Sequence, residues 1–118
     1  MQVADDDGYV TFTTIFPGCY DGRWPHIHFE VYPSLDVATD HRNAVLTSQF
    51  ALPTDACNEV YDNVAGYEAS IATFARISID SDNVFRDNSD TEMAMMTPAV
   101  TGNVTDGYVA EVTVGVAV

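Results

Sequence analysis

The heptapeptide HIHFEVY, residues 26–32, constrains this chain more than any other stretch. It alternates without a break. Ile27, Phe29 and Val31 fall on one side, and His26, His28, Glu30 and Tyr32 on the other. A period of two is the pattern of a half-buried strand, not of a helix with one apolar stripe. Three apolar side chains should anchor this strand in a core while its polar face carries two of the chain's three histidines. Immediately upstream, PGCYDGRWP (17–25) is a loop by its Gly and Pro content, and Pro25 stiffens the backbone just before His26.

The remaining pattern is read around that strand. YVTFTTIF (9–16) is β-branched and aromatic, with Val10 and Phe12 alternating with threonines, and predicts a strand entered from the turn DDDG. AVLTSQFAL (44–52) predicts a third. PTDACNEVYDNVAGYEASIATFA (53–75) is the helical region. Thr54 or Asp55 is the expected cap, Gly66 the expected break, and a second short helix is expected over 67–75. EMAMMTPAV and GYVAEVTVGVAV read as two terminal strands joined by TGNVTDG, with Met93, Met95 and Met96 as core filling. The sum is one mainly β domain over 1–118, a sandwich with one or two short helices.

Charge narrows the partners. Eighteen acidic residues face four basic ones, all arginine, for a net charge of −14. Such a surface repels phosphate backbones and anionic lipid, so neither nucleic acid nor membrane is an expected partner. No apolar run approaches the length of a membrane span, and MQVADDDG lacks the layout of a signal peptide.

Along a strand, residues i and i+2 share a face, with Cα atoms roughly 6.5 Å apart. His26 and His28 can therefore converge on one metal ion. Tyr20 lies in a loop able to fold over the strand end, and its phenolate is a hard donor suited to ferric iron. Arg23 can hold positive charge beside an anionic ligand. Glu30 shares the histidine face but lies too far along the strand from His26 to complete the same site, and reads as solvated or as a residue supporting a ligand from behind. His41, in a polar loop beside Asp40 and Arg42, reads the same way. DSDNVFRDNSD has the composition of a calcium loop without its Gly and Glu spacing.

DGYVTFTTIFPGCYDGRWPHIHFEV (7–31) resembles the core motif of the intradiol ring-cleavage dioxygenases, the catechol and protocatechuate group. The shared order is a Gly-Tyr strand, Thr-Ile-x-Pro-Gly-x-Tyr, an arginine, then His-Ile-His-Phe. The close match covers about 25 residues, and LTSQFAL extends it weakly. The short Gly-Arg-Trp-Pro-His form is similar to compact, often secreted actinobacterial members.

The resemblance implies a β-sandwich holding non-haem Fe(III). Tyr20, His26 and His28 match metal ligands, Tyr20 being the one that leaves the metal when substrate binds. Arg23 matches the arginine facing the reacting carbons, and Gln49 a glutamine lining the site. The implied activity is cleavage of catechol-type aromatics by O₂ to muconate-type dicarboxylic acids. The family's second tyrosine ligand lies upstream of the first strand, where only eight residues precede Tyr9. The chain is thus expected to be an N-terminally shortened member, with a non-catalytic, metal-poor binding or scaffold module as the alternative. A zinc or copper site on the two histidines is a third reading. A Cys19–Cys57 disulfide would brace the ligand loop against the helical region. A secreted or a cytoplasmic location, and assembly as a homo-oligomer, stay open.

Overall fold

A computed structural model describes residues 1–117. The alternating stretch forms β1 (His26–Val31), and β2 (Leu46–Ala51) pairs with it antiparallel. His26 lies opposite Ala51, His28 opposite Gln49 and Val31 opposite Leu46. The polar connection between them carries 3₁₀ turns at Leu35–Val37 and His41–Asn43. Two helices follow, α1 (Thr54–Asn63) and α2 (Glu68–Ala75). Gly66 separates them at φ +100°, a conformation that favours glycine. The cap differs from expectation. Pro53 stands at the N-cap, and Thr54 already belongs to the helix. α1 buries Ala56, Cys57, Val60 and Tyr61, one face by the 3.6-residue period.

Two expectations are corrected. Residues 9–16 join no strand ladder, and Tyr9, Val10, Phe12 and Ile15 are exposed. Alternation makes a segment able to pair, but a strand also needs cross-strand contacts, and residues 9–16 leave the outer edges of the β1–β2 pair unpaired. Among the described residues β1 and β2 pair only with each other. EMAMM is helical, not strand: α3 covers Asp90–Met95. Ser89 Oγ accepts from the Glu92 N–H and Glu92 Oε1 accepts from the Ser89 N–H, each at 3.2 Å. This capping box, followed by Glu, Met and Ala, outweighs the apolar run. Met93 and Met96 do fill a core, from the end of this helix, while Met95 is exposed.

A terminal strand pair forms, but shifted and shorter than expected: β3 (Ala99–Asn103) takes in 101–103 of the expected turn, and β4 (Gly107–Glu111) stops before 112–117, which carry no strand. Asn103 Oδ1 accepts from the N–H groups of Thr105 and Asp106 at 2.9 and 2.8 Å and so shapes the turn. The architecture is therefore mixed, with two small antiparallel sheets and three α-helices, rather than mainly β.

Two apolar clusters hold it together. Cys19, Leu52, Cys57, Val60 and Tyr61 form one; Trp24, Ala51 and Phe85 form the other. Phe74 and Ile77 pack against both. Among the described residues no helix is long and apolar enough to cross a membrane.

Candidate functional site

The loop before β1 is pinned to the helices. Tyr61 Oη donates to the Pro17 carbonyl at 2.8 Å, and the Cys19 N–H donates to Ser70 Oγ at 2.9 Å. A Cβ on Gly18 would come within 3.1 Å of that same oxygen, so the loop lies close against α2. Further on, Trp24 Nε1 donates to the Leu52 carbonyl at 2.8 Å, and the Leu52 N–H donates to the Pro25 carbonyl at 3.0 Å. Between these anchors Gly22, at φ +87°, turns the chain back. Tyr20 is left projecting, 58% exposed, over the start of β1.

Tyr20 and His26 meet there. Tyr20 Oη stands 3.4 Å from His26 Nε2, with the two rings edge to face at 5.9 Å. On the other side of the imidazole, Nδ1 lies 2.7 Å from the Trp24 carbonyl. A carbonyl only accepts, so Nδ1 carries the proton and Nε2 offers its lone pair toward Tyr20. Histidines that bind metals are held in this way, by a carbonyl or carboxylate on the second nitrogen. With metal–ligand bonds of about 2.1 Å, donors 3.4 Å apart subtend about 110° at a shared ion. Tyr20 and His26 therefore fit as neighbouring ligands.

His28 is arranged differently. Its Nε2 is 3.5 Å from Glu30 Oε1, and its side chain is 57% exposed. Glu30 also accepts from Tyr32 Oη. The Tyr32 hydrogen bond, ahead of the nearby His28 and His41, holds the Glu30 carboxyl below its usual range. Glu30 is thus exposed and also partnered by His28 and Tyr32. Among the described residues no group of three or more His, Cys, Asp or Glu converges as a metal cage. A ligand set here would combine Tyr20 and His26 with His28 turned away from Glu30.

Arg23 and Gln49 are brought into direct contact, and Asp82 joins them. Arg23 Nε donates to Asp82 Oδ2 at 2.7 Å, and Nη2 donates to Gln49 Oε1 at 2.6 Å. The guanidinium also lies 5.8 Å from the centre of the Phe85 ring. Asp82 is fully buried. Its Oδ2 also accepts from the Trp24 N–H at 2.7 Å, and its Oδ1 from the N–H groups of Val84 and Phe85 at 2.7 and 2.8 Å. Burial pushes the Asp82 pKa up; the hydrogen bonds from Phe85, Arg23, Trp24 and Val84 outweigh it and leave the pKa below its usual value. Composition had suggested only a calcium-like acidic loop for this stretch. The signal that could have found Asp82 is its place two and three residues before apolar Val84 and Phe85. That spacing lets an aspartate close a turn while apolar neighbours carry it inward.

Cys19 and Cys57 are free thiols, both buried in one cluster. Burial raises both pKa values, that of Cys57 to about 12. The expected bridge between the ligand loop and α1 is replaced by side-chain packing and the Tyr61–Pro17 hydrogen bond.

Against known proteins, no family model, no curated protein and no solved structure matches this chain.

Proposed function

We propose that the chain carries the ligand half of a ferric intradiol dioxygenase centre, acting on catechol-type aromatics with O₂. One observation supports this above the others: Tyr20 Oη and His26 Nε2 stand 3.4 Å apart, with the imidazole tautomer locked by the Trp24 carbonyl. In this reading Tyr20, His26 and His28 would hold Fe(III), with the β1–β2 pair as the mount for the two histidines. Ferric iron, when bound, supplies the Lewis acidity that activates a catecholate toward O₂. The protein supplies placement. As a phenolate, Tyr20 would take up a phenolic proton from the incoming substrate, and its exposure leaves the side chain room to turn out of the site. Arg23, held from behind by Asp82, presents positive charge toward developing negative charge on the ring.

A second reading, a non-catalytic relative, is favoured by one feature. His28 Nε2 is turned to Glu30 and away from a shared centre. Loading the protein with iron and recording its visible spectrum and catechol-dependent oxygen uptake separates the two. The enzyme reading requires a tyrosinate-to-iron band that disappears in Tyr20→Phe, together with oxygen uptake. A protein that takes up no stoichiometric iron, or remains colourless when loaded, refutes it.

A further inference from the structure

Arg23 and Gln49 sit on separate elements, and nothing in either segment alone fixes their mutual orientation. We propose that Asp82 is a positioning residue that acts through Arg23 to set which end of the Gln49 amide faces the site. The buried carboxylate is itself immobile, because the N–H groups of Val84 and Phe85 hold Oδ1. Its Oδ2 takes the Arg23 Nε–H and thereby fixes the plane of the guanidinium, which Phe85 backs. In that plane Nη2 reaches Gln49 Oε1 at 2.6 Å.

The consequence falls on Gln49. An amide has one acceptor end and one donor end. With Oε1 engaged by a cation, the NH₂ end is the one left to meet a ligand. Gln49 lies directly across the ladder from His28, so its side chain leaves β2 on the histidine side of the pair, where it is itself only 8% exposed. The chain Asp82–Arg23–Gln49 thus presents N–H donors, and no lone pair, beside the histidines. Such a site selects an anionic oxygen, as in a catecholate, over a donor-rich neutral ligand. The choice of ligand rests on the reading above; the orientation of the amide does not.

The test is a mutant cycle on the iron-loaded protein with 4-nitrocatechol as probe. Asp82→Asn is expected to weaken probe binding at least tenfold in the wild-type background. The same substitution should weaken it clearly less when Gln49 is already alanine, by only the part of the loss that runs through Arg23 itself. An equal loss in both backgrounds makes Asp82 merely structural and overturns the proposal. If Asp82→Asn does not fold, Arg23→Lys replaces it. That variant keeps a cation near Asp82 but loses the Nη2 fork, and a smaller loss in the Gln49→Ala background than in the wild-type background is again expected.

A wild-type protein that does not bind the probe refutes the catechol reading instead. The relay is then decided on metal-free, ¹⁵N-labelled protein. Gln2 and Gln49 are the only glutamines. The Gln49 side-chain amide signals must shift in Asp82→Asn, or in Arg23→Lys, while those of Gln2 stay in place. An unmoved Gln49 amide overturns the proposal.

Discussion

Asp82→Asn is the sharpest test of how this fold is held together. The substitution keeps the shape and removes the charge. Four N–H donors converge on the two carboxylate oxygens, at 2.7 to 2.8 Å. An amide can serve only one pair. If its oxygen takes the turn donors of Val84 and Phe85, its NH₂ group confronts Arg23 and Trp24. The reverse flip sacrifices the turn. Either way two donors lose their acceptor, and a guanidinium with only 18% of its side chain exposed loses its counter-charge.

Hydrogen bonds to charged groups contribute about 1.5–3 kcal/mol each, and breaking one side of a buried pair costs about 3–5 kcal/mol. These overlap, so a loss of about 3 kcal/mol is expected. Stability for a chain of this size is about 6–18 kcal/mol. The variant should therefore fold, with a melting temperature lower by about 10 °C.

Trp24 is the only tryptophan and accepts no substitute as reporter, since its own N–H binds Asp82. Urea titration followed by its fluorescence measures the loss. The pH dependence gives a second check. The Asp82 pKa is depressed on folding, so its contribution is complete above the unfolded value of about 3.9. It is lost as pH falls through the folded value. The gap between wild type and Asp82→Asn should therefore be full at pH 7 and close in strong acid. A gap under about 0.5 kcal/mol at pH 7, typical of a neutral surface change, refutes the reasoning.

Other outcomes follow from the same structure. Phe74, half-buried, packs against both apolar clusters, so Phe74→Ala should cost about 2–3 kcal/mol in denaturant titration, below the full-burial range. Cys19 and Cys57 are buried with raised pKa values, so an aromatic disulfide reagent should label neither in the native state at pH 7 and both after denaturation without reductant. Gly102 sits at φ +116°, and a Cβ there would fall 2.1 Å from the Gly107 carbonyl oxygen. Gly102→Ala should open the β3–β4 turn, seen as faster amide exchange across that ladder with β1–β2 unchanged.

Much of the local structure was legible because it is encoded locally. The alternation of 26–31 carries its own register and faces, and the helices over 53–75 carry an amphipathic period and a glycine break. The Ser89–Glu92 capping box was equally local and was masked by the apolar look of EMAMM. The segment 9–16 shows the limit, since its pattern is that of a strand, yet it joins no ladder although the β1–β2 pair has outer edges free among the described residues.

The sequence by itself determined the donors and their spacing: a loop phenol, two imidazoles two residues apart, and a strand rigid enough to hold them. It also determined the acidic surface, because charge is additive along a chain. Only the tertiary structure decided which donors meet. It put Tyr20 against His26, turned His28 to Glu30, and brought Asp82 across 59 positions to Arg23. Burial depends on what packs around a residue. A carboxylate that composition marks as one more surface charge becomes, once enclosed by four donors, the anchor of the site.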